Sequence, residues 1–231
     1  MGVYGVWWFF KVEESDWTEI KSEFDRAAVG VGILPKVQPF ILRPVALPVT
    51  PKYAEAVVAG VLAGAELGER LFHRPFHELA FKILIEKPDW ESDERLVELA
   101  LQSRVLPTVV LMTGIDHKRF AQLPGYLGNM LLHPQEVASA LELVSHTLDV
   151  DWQSYSTKAK CTLDYGGPPG SDFDRDADAD VAKILHMLPN ALQQVKNDGA
   201  GLLVLSSWGF PDTDTPQNSD PVAESDHIEF F

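Results

Sequence analysis

The chain has 231 residues, 45% of them hydrophobic, and 34 acidic against 19 basic residues give it a formal net charge of -15. This length and composition supply a buried core for one generous domain or two small ones. A strong negative charge opposes binding to nucleic acid and to anionic lipid, because each phosphate would meet a repulsive field. The composition therefore excludes DNA and RNA as expected ligands, while it favours encounter with a basic protein.

Negative charge is concentrated in the last third of the sequence. Residues 146–231 hold fifteen Asp and Glu against five Lys and Arg, and so carry ten of the fifteen net negative charges. Residues 211–231 contain no Lys or Arg, and we interpret them as an acidic tail extended over the surface. We predict that a basic partner binds the six carboxylates of this tail, which belong to Asp212, Asp214, Asp220, Glu224, Asp226 and Glu229. The alternative is that this charge serves solubility alone.

Apolar stretches and cysteine content bear on cellular location. The longest apolar runs, such as residues 105–112, fall far short of the roughly 20 residues that span a bilayer, so we expect no membrane span. The N-terminal residues are apolar but lack a basic leader and a small-residue cleavage site, which is typical of a mature protein. The single Cys161 cannot form an internal disulfide, in agreement with a reducing cytoplasm. We therefore predict a cytoplasmic protein.

The first elements in the chain are a strand and two helices. Residues 7–12 are rich in aromatic and β-branched side chains, which predicts a strand. Asp16, with Glu19 three residues later, resembles a capping box and predicts a helix to about residue 28. Gly and Pro punctuate residues 29–49, which indicates a connector, and Thr50-Pro51 predicts a second helix to about residue 70.

The middle of the chain contains several apolar segments. The run at 79–85 fits either a buried strand or the continuation of a helix, and its short length does not distinguish them. Apolar residues at helical spacing predict a helix over about residues 93–103, and the continuous apolar run at 105–112 predicts a strand. His133-Pro134 predicts the start of a further helix.

The last predicted elements are a loop, a helix and a strand. Residues 149–171 show little periodicity and predict a loop. Asp176 or Asp178 can cap a helix that Gly199 ends, and Pro189 should kink this helix or split it in two. Residues 201–206 predict a short buried strand.

Three stretches of the last hundred residues carry a family resemblance. They are Tyr126-Leu127-Gly128, the helix start Leu132-His133-Pro134-Gln135-Glu136-Val137, and Asp198-Gly199 running into Leu202-Leu203-Val204-Leu205. Together with the opening Met1-Gly2-Val3-Tyr4-Gly5, they resemble the small bacterial YfbM-like family over about residues 124–206. The resemblance implies a compact bacterial α+β domain, in which residues 29–123 would be a long insertion. It implies no catalytic residue, because the family has no established activity.

Two histidines show the spacing of metal ligands. His73 and His77 lie four residues apart with Glu78 next to the second, which on one helix would place two imidazoles on the same face. Pro75 between them disfavours a helix, and Arg74 stands where the zinc-protease motif requires Glu. We therefore favour turn or surface histidines and expect no cofactor.

Five alternating aspartates form a second candidate metal site, and they are Asp172, Asp174, Asp176, Asp178 and Asp180. Closely spaced carboxylates bind hard cations such as calcium. Counting from Asp172, however, Ala177 stands where the calcium loop needs glycine, and Lys183 stands where it needs a bidentate Glu. The favoured interpretation is that the later aspartates cap the following helix.

A histidine and two serines are the candidates for nucleophilic chemistry. His117 follows an apolar segment, as polar residues of α/β enzymes do, and with Asp116 it offers a general base. Ser206 and Ser207 follow the last predicted strand but lack the first glycine of a nucleophile elbow. No nucleophile is therefore identified.

We predict a single α+β domain over residues 1–210, with a small mixed sheet and flanking helices, followed by the acidic tail at 211–231. The preferred function is non-catalytic protein binding, as an inhibitor or immunity-type protein against a cationic partner. The alternative is a metal-assisted hydrolase that uses His73, His77 or His117.

Overall fold

The computed structural model describes residues 4–30, 66–87, 90, 95–103, 105–166 and 176–208. Within these residues the chain forms seven helices and four strands, which confirms the α+β class. In chain order they are β1 (Tyr4–Val12), α1 (Glu14–Gly30), α2 (Glu66–Glu86), β2 (Leu96–Ser103), α3 (Pro107–Ile115), α4 (His117–Phe120), β3 (Met130–Leu132), α5 (Pro134–Thr147), α6 (Trp152–Gly166), α7 (Ala177–Asp198) and β4 (Gly201–Trp208). The acidic tail, the connector and most of the helix predicted from Thr50 lie outside the described residues.

The four strands form one sheet in the order β2-β1-β4-β3. All three neighbouring pairs run antiparallel, so the described sheet is antiparallel rather than mixed. The first strand and the last strand lie side by side at the centre. Residues 6–10 of β1 are all buried, because helices cover both faces of the sheet. An antiparallel strand covered on one face alone would alternate apolar and polar residues instead.

Adjacent serines of β4 identify the two faces of the sheet. Side chains alternate along a strand, and Ser207 contacts His77 of α2 while Ser206 contacts Thr108 of α3. We call these sides the α2 face and the α3 face. Helix α1 packs on α2, and the second layer on the α3 face is completed by α7 against β2 and β4.

Two segments have a different secondary structure from the one predicted. Residues 105–112, predicted as a strand, belong mainly to helix α3, which begins with Pro107 at its first position and is buried along almost its whole length. A helix that is hydrophobic all round is a buried helix, and its sequence shows no helical periodicity. Residues 96–103, predicted as a helix, form strand β2 because pairing with β1 overrides the local spacing.

The predicted helix ends agree with the structure in α5 and α7 but not in α1. His133 caps α5 in a capping box, in which the carboxylate of Glu136 accepts a hydrogen bond from the His133 N–H at 2.8 Å. Asp176 caps α7, and Gly199 ends it in the left-handed conformation. Asp16, in contrast, lies inside α1 and does not cap it. Its carboxylate is 3.0 Å from the Arg95 guanidinium.

Three further segments are helical, although the sequence left their secondary structure open or predicted a different one. The run at 79–85 belongs to α2, which also contains Pro75. Residues 149–171, predicted as a loop, contain α6, whose first turn is capped by Asp151 through the N–H of Ser154. Helix α7 continues through Pro189, so the predicted split is wrong, and the kink stays a prediction.

The segment at 29–123 contributes directly to the core. Its strand β2 pairs with β1, its helix α2 packs on β4, and its helix α3 contacts β1 and β2. Among the described residues, no helix is long and apolar enough to cross a membrane.

Candidate functional site

A histidine and a serine meet on the α2 face. His77 Nδ1 is in hydrogen-bonding contact with Ser207 Oγ, and the His77 ring packs against Phe81 with 4.4 Å between ring centroids. A base beside a hydroxyl is the first requirement of a serine nucleophile. Ser207, however, is 0% exposed and lies in the regular ladder opposite Val6. The contact therefore joins the half-buried His77 of α2 to the buried Ser207 of β4.

The candidate metal ligands His73 and His77 fall in one helix rather than in a turn. His77 lies in α2 beside Ser207, and His73 falls in the same helix, where its side chain is outside the described part. Across the described ranges, no group of three or more His, Cys, Asp or Glu side chains is placed to hold a metal ion.

His117 lies in a short helix that follows α3. It is the first residue of α4, and the Asp116 carboxylate accepts hydrogen bonds from the N–H groups of Lys118 and Arg119. Asp116 therefore serves as a cap rather than as the orienting partner of an imidazole. Helix α4 contacts α3, whereas α2 packs against α1 and β4, so His117 and His77 belong to different parts of the described fold.

The alternating aspartates have separate roles where they are described. Asp176 is the cap of α7, Asp178 forms an ion pair with Lys160, and Asp180 lies one turn into the helix beside Lys183. Acidic residues in a first turn favour the positive end of the helix dipole. Asp172 and Asp174 lie outside the described residues, as do the six carboxylates of the acidic tail.

Negative charge on α1 is matched by nearby cations. Glu23 contacts Lys82 at 2.9 Å and Arg26 at 2.6 Å, and the hydrogen bond from Lys82 lowers the pKa of the Glu23 carboxyl. Glu19 contacts Lys87 at 3.0 Å. These pairs are exposed or half-buried, so each contributes little to stability. They nevertheless leave α1 close to neutral, in contrast to the acidic tail.

A groove opens between β2 and α7. Its volume is about 380 Å³, and it is lined by residues 96–100 of β2 together with Asp180, Lys183 and Ile184 of α7. Strand β2 lies at the edge of the sheet that the described residues form. The sequence interpretation missed this groove because it assigned residues 93–103 to a helix. The groove can be recognised only once β2 is known to pair with β1, which is distant in sequence.

Comparisons with protein-family models, with curated proteins and with solved structures gave no match. The described residues form an antiparallel four-stranded sheet with helices on both faces.

Proposed function

We propose that the chain is a non-catalytic binding protein, of the inhibitor or immunity type, that occludes a cationic protein partner. One observation carries this proposal: the acidic tail places six of the fifteen net negative charges in residues 211–231, without a Lys or Arg. Like charges at this density repel one another unless solvent, cations or a basic partner offsets the repulsion. A segregated field of one sign accelerates encounter with a partner of the opposite sign.

The described surface agrees with a partner of this charge. Trp152 is 40% exposed, and it directly follows the exposed Asp149 and Asp151. An exposed tryptophan is typical of interface anchors, and its ring attracts the cations of Lys and Arg. Aromatic and acidic surface thus adjoin at the start of α6.

The proposal is tested by neutralising the acidic tail. The immobilised chain first captures its partner from the native host at low salt, and the purified partner is then used for kinetics. We expect the variant with all six tail carboxylates changed to their amides to associate more slowly, with a smaller change in dissociation.

The matched control neutralises six exposed carboxylates of the described surface, namely Glu13, Glu14, Glu19, Glu86, Glu142 and Asp198. It changes the net charge equally, so a larger effect of the tail variant assigns the effect to position rather than to total charge. Equal rates for the two variants, or capture of no cationic protein at low salt, would contradict the proposal.

A further inference from the structure

We propose that His133 forms a pH-sensitive joint between α1 and α5, in which the neutral ring caps α5 and the protonated ring releases this cap and binds Glu14 of α1. The joint lies within the described fold and operates independently of the acidic tail. Three parts of one residue carry the proposal, namely the two ring nitrogens and the backbone N–H of His133.

One ring nitrogen of His133 caps α5. Nδ1 accepts a hydrogen bond from the N–H of Gln135 at 3.4 Å. This N–H belongs to the first turn of the helix, where no preceding helical carbonyl can accept it. A ring nitrogen that accepts a hydrogen bond carries no proton, so the neutral ring must carry its proton on Nε2. The cap therefore requires a neutral ring in one particular tautomer.

The other ring nitrogen of His133 faces α1. Nε2 lies 3.7 Å from a carboxylate oxygen of Glu14, which is exposed. The ring also packs edge-to-face against Trp17, with 4.7 Å between ring centroids. Glu14 and Trp17 both belong to the first turn of α1. The half-buried imidazole thus lies between the starts of two helices, in contact with both.

Protonation of His133 would remove the acceptor of the cap. Histidine is the side chain whose charge ordinarily changes between about pH 5 and pH 8, and the charged ring is a donor at both nitrogens. Nδ1–H and the N–H of Gln135 would then oppose each other as two donors, and the positive end of the α5 dipole would repel the charge. The Glu14 carboxylate attracts the same charge. The protonated ring therefore exchanges a contact with α5 for one with α1.

Further charged groups lie around the start of α5. The Glu136 carboxylate accepts the backbone N–H of His133 at 2.8 Å and faces Lys21 of α1. Burial raises the pKa of the Glu136 carboxyl, so this group also gains a proton as the pH falls. Helix α7 packs on α5, and its Asp198 pairs with Lys11 of β1 at 3.9 Å. An experiment must therefore distinguish the titration of His133 from that of Glu136.

The test measures hydrogen exchange of the Gln135 amide by NMR in the full chain. After correction for the intrinsic effect of pH on exchange, its protection should fall severalfold from about pH 7.5 to about pH 5.5. His133→Asn keeps a side-chain acceptor that is favoured at this helix position and does not titrate, so protection should stay constant. The control His146→Asn removes an exposed histidine in the last turn of α5 and should retain the fall.

A second variant assigns the titrating group. Glu136→Gln keeps an acceptor oxygen for the His133 N–H but has no carboxyl to titrate, so the fall in protection should persist. Nitrogen-15 NMR of the imidazole should show the proton of the neutral ring on Nε2. An equal fall in His133→Asn, loss of the fall in Glu136→Gln, or a neutral ring with its proton on Nδ1 would overturn the proposal.

The contact with α1 has its own readout. The amide signals at the start of α1 should shift with the same pH midpoint as the protection of Gln135, because one protonation changes both contacts of the ring. Glu14→Gln removes the charge that attracts the protonated ring and should reduce the shift in α1 while the cap still opens. Signals in α1 that do not respond to pH, or that respond equally in Glu14→Gln, would show that His133 does not join the two helices.

Discussion

The turn before β3 shows how single residues fix the core. On the α3 face of the sheet, Trp7 Nε1 donates a hydrogen bond to the carbonyl oxygen of Gly128 at 2.9 Å. Gly128 has a φ of +86°, and a Cβ atom at this position would collide with Thr108 Cγ2. The neighbouring Asn129 is buried, and its side-chain oxygen accepts from the N–H of Ser206 at 2.8 Å. The turn is thus held on both sides by buried hydrogen bonds.

Gly128→Ala should destabilise the protein by about 2–4 kcal/mol, because a positive φ and a steric collision add together. Chemical denaturation measures the free energy of unfolding. The matched control is Gly199→Ala, since Gly199 also has a positive φ of +67° but no atom within 4 Å of the added Cβ. We expect a loss of about 1 kcal/mol there. Equal losses at the two positions would contradict the predicted collision.

Because Tyr155 is buried, the stability of the protein depends on pH in the alkaline range. Its side chain is buried, and its hydroxyl donates to the carbonyl oxygen of Val181 at 2.9 Å. Burial raises the pKa of Tyr155 above its ordinary value of 10.0, so the unfolded chain loses this proton at lower pH than the folded chain does. The stabilisation is therefore complete below about pH 10 and is lost above it, by up to about 1.4 kcal/mol per pH unit.

Tyr155→Phe removes this titration. We expect the difference in free energy of unfolding between the natural chain and the variant to be constant below about pH 10 and to decrease above it. Denaturation curves at a series of pH values give this difference. A difference that grows with pH in this range would show that the sign is wrong.

Substitution of His77 distinguishes a structural role of this residue from a metal-binding role. His77→Ala removes the contact with Ser207, and we expect it to destabilise the protein by about 1–3 kcal/mol. Elemental analysis of the purified natural chain should show no stoichiometric zinc. Zinc that survives dialysis and disappears in the variant would instead support the metal-assisted hydrolase.

Elements with their own end signals were predictable from sequence. Strand β1, helix α5 with His133-Pro134 and helix α7 between Asp176 and Gly199 were all predicted close to their observed bounds. The caps of α5 and α7 lie within a few residues of the helix, so local chemistry determines them. Local signals therefore suffice for these elements.

Elements defined by distant partners were not predictable in the same way. Helix α3 lacks an amphipathic pattern because it is buried along almost its whole length, and β2 is a strand because β1 pairs with it. Neither cause is visible within the segment. The same limit applies to the candidate sites, because the contact of His77 with Ser207 joins residues 130 positions apart.

Helix α7 offers a test at the scale of an element. It continues through Pro189, which lacks the N–H of an interior helical residue and crowds the preceding turn. Pro189→Ala should raise the free energy of unfolding by about 1–3 kcal/mol, measured by chemical denaturation. The neighbouring exposed Asn190→Ala serves as control and should raise it by well under 1 kcal/mol. Destabilisation by Pro189→Ala would show that the local backbone requires proline.

Charge distribution is the property of the whole molecule on which the function depends. The described ion pairs balance the acidic residues of α1, while the acidic tail has six carboxylates and no Lys or Arg. The sequence predicted this segregation because charge is counted without knowledge of the fold. It did not predict the groove beside β2, which exists only after β1 and β2 pair.

The salt dependence of the association rate tests the central claim most directly. The rate constant for binding the purified cationic partner is measured at low and at high salt, for the natural chain and for the tail-neutralised variant. We predict a steep fall with salt for the natural chain, and both a slower rate and a shallower slope for the variant, because the variant lacks the part of the salt-sensitive steering that the tail provides. An unchanged rate and an unchanged slope in the variant would show that the acidic tail is a solubilising surface and not a docking surface.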